Sequence, residues 1–338
     1  MKKVIVTGAT GFIGGAFTRK LLKQGVKVYG IDVSADKLKE MKKYGDFIPV
    51  VADFSVYNKL NELVDDKCFD AFFHFAWQGV FGNAFKDYEL QLNNAKYSCD
   101  AIVEAKKLNC KKFIMAGTQN EIEIKTFINS NSFSPRYTCI YSSSKLAAEL
   151  ICKTLAYNLD IEYNAGLISM AYGEGNESQT LPNIVINQLL NNISPKLIEG
   201  NNYYDMIYID DIVDAFIAIS EKGGNFKSYY VGHRRLKIFR DLITEIRDIV
   251  NPSVDLLFGE FNDGANIDYS QRDLDALYND TGFECKSDFH ESIQKTAEWL
   301  KARNAPDTHT HTHNMNDCSI VHVVWQIVFT AERRWRHE

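Results

Sequence analysis

Two residues four positions apart, Tyr141 and Lys145, have the side chains of an acid–base centre and begin a helical pattern. Positions i and i+4 lie on one face of a helix, so the phenol and the ammonium point into one cleft. A free tyrosine has a pKa of about 10, and a cation held nearby favours the phenolate and lowers that pKa. We therefore predict that Tyr141 transfers a proton near neutral pH and that Lys145 assists it. The alternative is a solvated helix face, and the surrounding elements decide between the two.

A hydroxyl group at the end of a predicted strand is the third candidate. The apolar stretch 112–116 predicts a strand, and Gly117 and Thr118 follow it. The carboxyl ends of the strands in an open α/β sheet meet at the ligand crevice. We expect Thr118 to lie there, where its hydroxyl can donate to a substrate carbonyl beside Tyr141. A threonine that caps a loop is the alternative.

The elements that position these residues begin with a glycine-rich turn. Three apolar residues lead into Gly8-x-x-Gly11-x-x-Gly14, and an amphipathic pattern follows from Ala16 to Lys23. Glycine permits positive φ and lets a ligand approach the backbone closely. The N-terminus of the following helix offers N–H groups and a positive dipole to a pyrophosphate. This order predicts a dinucleotide site at the first βα turn of a doubly wound sheet, with a ligand-free turn as the alternative.

Acidic residues follow the second and third predicted strands, at 26–31 and 47–51. Asp32 lies at the distance from the glycine turn where a carboxylate meets the adenosine ribose. Asp53 is a candidate partner for the adenine amino group. Because Asp32 repels a 2′-phosphate, the sequence favours NAD as the cofactor. NADP stays an alternative, since Lys37 lies close to Asp32 in the sequence.

The composition limits the class of protein and its partners. Apolar residues form 45% of the 338 residues, and the net charge of −6 provides no basic face for nucleic acid. The seven cysteines are scattered without a C-x-x-C pair, which favours reduced thiols. Glycines interrupt the apolar start of the chain, and no run of about 18 apolar residues exists, so we expect neither a signal peptide nor a membrane span. These features predict a soluble, cytoplasmic protein with neither a nucleic-acid nor a membrane partner.

Short apolar runs alternate with helical patterns in the first half of the chain, as in a parallel sheet with helices on both faces. The predicted strands lie at 3–7, 26–31, 47–51, 70–75, 112–116 and 161–168, and long helices at 87–108 and 140–158. Later patterns predict a strand at 206–209, a helix capped by Asp210-Asp211 that reaches Glu221, and helices at 239–250 and 288–302. We predict an α/β fold with a Rossmann-type doubly wound parallel sheet in residues 1–168, to which some later segments return, and a smaller C-terminal α/β substrate domain in residues 169–303.

Residues 304–338 are expected to form a tail outside the fold, disordered or non-native. This tail contains His309, His311 and His313, which suggest a metal cluster as an alternative. A metal site needs fixed ligand geometry and a supporting shell, which alternate residues on a floppy segment do not provide. We therefore predict no metal.

Several motifs together resemble one known family. They are TGATGFIGG at 7–15, Asp32, Asp53, HFAW at 74–77, the asparagines 93–94, Thr118, YSSSK at 141–145, AYGEG at 171–175 and YDMIYIDD at 204–211. Over residues 1–302 the chain resembles the extended short-chain dehydrogenases/reductases, the family of nucleotide-sugar epimerases, dehydratases and ketoreductases. The resemblance implies an enzyme that binds a nucleotide-diphosphate sugar and forms a homodimer through the helices near 88–107 and 141–158.

The resemblance also implies roles for individual residues. Thr118, Tyr141 and Lys145 would be the catalytic residues. Cofactor contacts would come from Gly8, Gly11, Phe12, Ile13, Gly14, Asp32, Asp53, Phe54, Phe75, Ala76, Asn94, Tyr141, Lys145 and Ile168. Substrate contacts would come from Trp77, Asn120, Ser169, Asn183 and Arg272, with Gln78 and Met170 beside them. Core packing is the alternative for Trp77 and Met170.

Departures from the family pattern narrow the expected reaction. Family dehydratases have Asp-Glu directly after the catalytic threonine, whereas this chain has Gln119-Asn120, which disfavours dehydration. The stretch GTQNE at 117–121 resembles the subgroup that reduces 4-keto-6-deoxy sugars on a nucleotide. Tyr204 and Leu167 replace two arginines that usually bind the nucleotide phosphates. The candidates that remain for this role are Arg234, Arg235 and Arg272, of which we prefer Arg272.

We therefore expect NAD(P)-dependent reduction, at C4, of a nucleotide-linked 4-keto-6-deoxyhexose, with Tyr141 as the acid/base. A nucleotide-sugar 4-epimerase that keeps its NAD tightly bound would use the same three catalytic residues and is the first alternative. A non-catalytic dinucleotide-binding protein is the second alternative, because fold alone does not fix function.

Overall fold

Seven parallel strands form the central sheet of a computed structural model that describes residues 1–80, 82–129, 135–136, 138–261 and 267–304. The strands in chain order are β1 Lys3–Thr7, β2 Lys27–Asp32, β3 Phe47–Val51, β4 Ala71–His74, β5 Lys112–Thr118, β6 Glu162–Ile168, β7 Met170–Tyr172, β8 Lys196–Leu197, β9 Tyr203–Tyr204, β10 Met206–Tyr208, β11 Lys227–Val231, β12 Lys237–Ile238 and β13 Leu257–Phe258. The helices are α1 Phe12–Lys23, α2 Ala35–Met41, α3 Leu60–Leu63, α4 Tyr88–Lys107, α5 Asn120–Asn129, α6 Cys139–Leu159, α7 Leu181–Leu190, α8 Ile209–Lys222, α9 Phe239–Val250, α10 Ala276–Thr281 and α11 Phe289–Asn304.

The central sheet has the strand order β11-β6-β5-β4-β1-β2-β3, and every neighbouring pair is parallel. Along the chain, β2 and β3 are added on one side of β1. The next strand, β4, then pairs with the other side of β1, and β5 and β6 follow on that side. This reversal opens a crevice at the carboxyl ends of β1 and β4, where ligands of such sheets bind. The predicted doubly wound parallel sheet is confirmed. The strand β11, far along the chain, completes the sheet beside β6.

Two apolar cores cover the two faces of the sheet because successive strand residues point to opposite faces. Val4 and Phe73 belong to the core that packs on α1 and α8. Ile5 and Phe72 belong to the other core, which packs on α4 and α6. Both faces of each central strand are therefore buried, which explains why these strands are continuous apolar runs in the sequence.

A third core lies among the later elements, and three short two-stranded sheets pair β7 with β10, β9 with β12, and β8 with β13. Residues Met1–Lys301 form one compact unit, and the division into two domains at residue 168 stays a prediction. Among the described residues, no helix is long and apolar enough to cross a membrane. Apart from Asn304, the predicted tail and its three histidines lie outside the described residues.

The predicted capping of α8 is wrong. This helix begins at Ile209, so Asp210 and Asp211 lie within its first turn, and neither side chain caps it. The Asp211 carboxylate instead accepts hydrogen bonds from the backbone N–H groups of Lys286 at 2.9 Å and Ser287 at 3.2 Å. Asp211 thereby fixes the segment that leads into α11, a long-range contact that local sequence does not indicate.

Candidate active site

The glycine turn forms a tight cradle at the carboxyl end of β1. Gly8 has a φ of +66°, and the Gly11 N–H donates to the Gly8 carbonyl oxygen at 3.0 Å. A Cβ on Gly14 would lie 2.2 Å from that oxygen, so only glycine fits there. In the described part of the chain, no side chain caps the N-terminus of α1 at Gly11. The first N–H groups of α1 are therefore available to an anion, and the cradle fits a dinucleotide pyrophosphate.

The residues around this turn hold it against the sheet. Phe12 and Ile13 begin α1 and pack on the core of the later elements. Phe75 follows β4, and its ring packs on Phe17 at 5.2 Å and on Phe216 at 4.9 Å between ring centroids. A Cβ on Gly8 would lie 3.0 Å from the backbone nitrogen of Ala76, so the turn and the end of β4 touch.

Acidic side chains follow β2 and β3 at the same edge of the sheet. Asp32 accepts hydrogen bonds through Oδ2 from the backbone N–H and the hydroxyl of Thr10, at 2.9 Å and 2.8 Å. Its carboxylate therefore lies beside the glycine turn, as the ribose-binding prediction requires. Asp53 is exposed, and hydrogen bonds from the Ser55 hydroxyl and backbone N–H lower its pKa. The Phe54 ring beside it stacks on Tyr97 at 5.0 Å.

Two amide side chains of α4 fix the loop after β4, and the sequence predicted a role for only one of them, Asn94. Asn94 is buried and exchanges two hydrogen bonds with the backbone of Gln78, at 2.8 Å and 3.1 Å. Gln91 accepts from the Trp77 indole N–H at 2.8 Å and donates to the carbonyl oxygen of Gly79 at 2.7 Å. Asn94 therefore shapes the loop that the cofactor prediction invokes, and Gln91, which bonds the same loop, was missed.

The three predicted catalytic residues come together at the carboxyl end of β5. Thr118 ends β5, and α6 presents Tyr141 from the adjoining layer, close enough for the Thr118 side chain to lower the pKa of the Tyr141 phenol. Lys145, one turn further along α6, donates to the carbonyl oxygen of Ala116 at 2.9 Å. Its ammonium also lies 3.9 Å from the centroid of the Trp77 ring, and that ring meets Tyr141 edge to face at 6.2 Å. Tyr141 and Lys145 are both buried.

Burial controls the electrostatics of this cluster. Burial lowers the pKa of Lys145 to about 8. Burial, and next the charge of Glu121, raise the pKa of Tyr141, and the Thr118 hydrogen bond only partly opposes this. The expectation that Lys145 lowers the pKa of Tyr141 is therefore wrong for this structure. The Lys145 ammonium is directed to Ala116 and Trp77 instead of the phenol.

Two buried glutamates behind the cluster were missed by sequence reasoning. Glu121 on α5 accepts the Thr118 backbone N–H through Oε1 at 2.8 Å. Glu149 lies four residues after Lys145 on the same face of α6, and its charge acts on Glu121. The regular spacing of Tyr141, Lys145 and Glu149 was a signal that could have pointed to Glu149.

The predicted substrate residues are spread around the crevice. Asn120 begins α5 and donates its N–H to the Thr118 hydroxyl at 3.3 Å. Ser169 follows Ile168 at the end of β6 and is buried. Asn183 on α7 is buried and donates to the carbonyl oxygens of Asn176 and Ser178, at 2.7 Å and 2.8 Å. Its Oδ1 atom has no hydrogen-bond partner among the described residues, which leaves one acceptor for a ligand.

The candidate phosphate-binding arginines differ in their surroundings. Arg234 pairs with Asp275 at 2.5 Å and stacks on the Tyr278 ring at 3.9 Å, so its guanidinium group is engaged in contacts that stabilise the protein surface. Arg272 is half-buried, and its Nε has no hydrogen-bond partner among the described residues. Its charge acts on Glu149. Arg235 is exposed.

A chain of polar side chains links the crevice to the later elements. The Tyr269 hydroxyl donates to Oε1 of Gln119 at 3.1 Å, and the rings of Tyr269 and Tyr230 meet edge to face. The Tyr230 hydroxyl donates to buried Asp205 at 2.7 Å, and Asp205 also contacts His233 Nδ1 at 2.8 Å. The Gln119 side chain is therefore already engaged and carries no titratable proton.

Comparisons with known proteins agree with this geometry. The model of the NAD dependent epimerase/dehydratase family matches residues 4–232, more than half of the chain. The chain is 24% identical to a trifunctional UDP-glucose 4,6-dehydratase/UDP-4-keto-6-deoxy-D-glucose 3,5-epimerase/UDP-4-keto-L-rhamnose reductase of Arabidopsis thaliana over 320 residues, 88% of this chain and 47% of that protein. It thus spans about half the length of the plant relatives it matches. It is 24% identical to the dTDP-4-dehydro-6-deoxyglucose reductase of Escherichia coli over 260 residues, 73% of this chain and 82% of that protein.

Solved structures share the fold. A UDP-N-acetylglucosamine 4-epimerase from Methanobrevibacter ruminantium superposes with a TM-score of 0.71 at 22% identity, over 89% of this chain and 99% of that chain. A UDP-glucuronic acid 4-epimerase from Bacillus cereus, in complex with UDP-glucuronic acid and NAD, superposes with a TM-score of 0.70 at 20% identity, over the same shares. At these identities the likeness establishes the fold alone.

Proposed function

Because the chain belongs to the NAD-dependent epimerase/dehydratase family, as its motifs predict, we propose that it reduces the C4 keto group of a nucleotide-linked 4-keto-6-deoxyhexose. The predictions of an enzyme and of NAD as its cofactor are confirmed by this membership. The observation that carries the proposed reaction is the placement of Thr118, Tyr141 and Lys145 together where β5 ends. The similarity to the E. coli reductase supports reduction as the direction.

The protein's part in this reaction is orientation and proton transfer. The cradle of Gly8, Gly11 and Gly14 would hold the dinucleotide. When bound, this cofactor would supply the two-electron reduction of a carbonyl carbon. Thr118 and Tyr141 would bind the C4 oxygen, and Tyr141 would give it a proton. Lys145 would stabilise the resulting phenolate through its positive charge once its ammonium turns towards Tyr141 from the Ala116 carbonyl, to which it donates in this structure.

The residues after Thr118 argue against dehydration. Removal of water needs an acid and a base next to the catalytic threonine, and a neutral Gln119 amide can act as neither. The Gln119 side chain is also engaged by Tyr269 at 3.1 Å. We therefore propose that the chain does not catalyse 4,6-dehydration, although a dehydratase is among its relatives.

A 4-epimerase is the second candidate, since the same three side chains serve it and 4-epimerases share the fold. Such an enzyme first oxidises C4 and then reduces the opposite face of the same sugar. Its net reaction consumes no external NADH, which separates the two candidates.

The test is incubation of the full chain with NADH and a panel of nucleotide-linked 4-keto-6-deoxyhexoses, and with NAD and a panel of nucleotide sugars that carry a C4 hydroxyl, followed by NADH absorbance and product analysis. We expect one equivalent of NADH to be consumed for each C4 hydroxyl formed. Interconversion of C4 epimers without NADH consumption would favour the epimerase. Binding of NADH without turnover of any member would contradict both candidates.

Cofactor choice gives a prediction for Asp32. In Asp32→Asn the amide keeps an acceptor for Thr10 but removes the charge that repels a 2′-phosphate. Because a hydrogen bond to a charged group contributes about 1.5–3 kcal/mol, we expect NADH affinity to fall roughly tenfold or more, while NADPH binds more tightly than to wild type. Calorimetric titration with both cofactors measures this. Adding Lys37→Ala to Asp32→Asn is the control, and unchanged selectivity in Asp32→Asn would remove Asp32 from cofactor choice.

We also propose a homodimer through α4 and α6, which pack side by side. Large apolar side chains are exposed on these two helices: Tyr88, Leu92, Leu150, Ile151 and Tyr157. Apolar side chains clustered on two packed helices are typical of an interface between two copies. We expect Leu150→Glu to convert a dimer into a monomer, measured by light scattering during size-exclusion chromatography. The exposed Ile193, in the loop between α7 and β8, supplies the control Ile193→Glu, and a monomeric wild type would refute the proposal.

A further inference from the structure

Glu121 and Glu149 lie near each other inside the protein, close enough for the charge of Glu149 to act on Glu121. Both are buried, with exposed fractions of 0% and 4%. Glu121 uses Oε1 for the Thr118 N–H, and Glu149 uses Oε1 for the Ser228 hydroxyl, at 2.8 Å and 2.5 Å. The Oε2 atom of each is buried and has no hydrogen-bond partner among the described residues. Two ionised carboxylates buried side by side repel each other and have no proton to donate, whereas a proton on one of them lets it donate to the other.

The surroundings decide which carboxyl carries the proton. The charged and titratable groups that face the pair are Tyr141, Lys145 and Lys153 from α6, Lys125 from α5, Tyr163 from β6, and Arg272 from the segment before α10. Arg272, Lys153 and Lys125 act on Glu149, whereas Lys145 and Lys125 act on Glu121. Burial and then the charge of Glu149 raise the pKa of Glu121 well above its usual range. Burial raises the pKa of Glu149 too, but the hydrogen bonds from Glu121 and Ser228 outweigh it and lower that pKa.

We propose that Glu121 and Glu149 share one proton, held mainly on Glu121, and that the pair is a positioning element that keeps negative charge away from Tyr141 and Lys145. Glu121 is the nearer of the two to the catalytic groups, since it bonds the backbone of Thr118 and its charge acts on both Tyr141 and Lys145. An ionised Glu121 would disfavour the Tyr141 phenolate and hold the proton on Lys145. The catalytic consequence rests on the proposed role of Tyr141, whereas the shared proton does not.

Two isosteric variants separate the charge from the shape of the pair. In Glu121→Gln the amide oxygen accepts the Thr118 N–H and the NH₂ group donates to Glu149, so the neutral state of residue 121 is preserved. In Glu149→Gln the amide donates to Glu121 instead, which favours the ionised form of Glu121 next to Lys145 and Tyr141. The same contacts are made in both variants, but only Glu149→Gln places a charge beside the catalytic groups.

The experiment needs no substrate. Infrared spectra at neutral pH report the C=O stretch of a protonated carboxyl group, and we expect that band in the wild type and its loss in Glu121→Gln. Carbon-13 NMR of labelled lysine Cε reports the titration of Lys145, whose pKa burial lowers to about 8, with Lys145→Met giving the assignment. We expect Glu149→Gln to shift the Lys145 titration upward by about one pH unit and Glu121→Gln to shift it far less.

Each result bears on a separate part of the proposal. A wild type without the carboxyl band, or a band that persists unchanged in Glu121→Gln, would overturn the shared proton. Equal Lys145 titrations in the wild type and Glu149→Gln would overturn the effect on the catalytic groups. If no keto sugar is turned over, the proposed function fails while both spectroscopic results still decide this inference.

Discussion

Tyr141→Phe should lower kcat by roughly 10²–10⁴-fold, because it removes the proton that Tyr141 is proposed to give to the C4 oxygen. The phenyl ring keeps the contacts with Trp77 and Phe85, which the tyrosine ring makes edge to face. Cofactor affinity and the melting temperature should therefore change little. Steady-state kinetics with the keto sugar that the panel identifies, together with calorimetric binding of NADH, measures both quantities.

A buried tyrosine in another part of the sheet provides the matched control. The Tyr229 hydroxyl, on β11, donates to Asp280 at 2.5 Å and accepts the Gly224 N–H at 2.7 Å. Tyr229→Phe removes these hydrogen bonds and should cost about 1–3 kcal/mol of stability while kcat stays near the wild-type value. A Tyr141→Phe enzyme with near-normal turnover would show that another group delivers the proton.

The sheet and its cofactor cradle could be predicted from the sequence because their signals are local. Buried parallel strands are continuous apolar runs, and the glycine spacing reflects backbone contacts within one turn, such as that of Gly14 with Gly8. The helix α9 begins and ends at the residues predicted, because its apolar spacing is regular. Thr118, Tyr141 and Lys145 were found by the same logic, from the end of a strand and the spacing on a helix.

Features that depend on packing between distant segments could not be predicted. No helix was predicted at Asn120–Asn129, where Ile122 and Ile124 alternate with polar residues as in a strand. Without α5, the contact of Glu121 with Glu149 has no basis in the sequence. The direction of the Tyr141 pKa was missed for the same reason, since burial by the surrounding elements raises it while the Lys145 ammonium is directed to Ala116.

Gly14→Ala should cost both stability and cofactor binding, because the added Cβ would lie 2.2 Å from the Gly8 carbonyl oxygen and 2.9 Å from its carbon. Backbone atoms cannot rotate away, so the turn must open. Alanine is a better helix former than glycine by about 1 kcal/mol, but overpacking of this kind costs about 1–3 kcal/mol, and we expect a net loss of stability. Opening the turn also moves Gly8 and Gly11, so NADH affinity should fall at least tenfold.

Gly11→Ala is the matched variant that separates the fold from the ligand. Gly11 has φ −73° and ψ 179°, which any residue adopts, and its added Cβ would have one ordinary contact, 3.4 Å from the Gly8 oxygen. The protein should therefore keep its melting temperature. The methyl group would stand at the N-terminus of α1, where the pyrophosphate is expected, so NADH should no longer raise that temperature as it does in the wild type. Full thermal stabilisation of Gly11→Ala by NADH would place the pyrophosphate elsewhere, and with it the nicotinamide that Tyr141 must face.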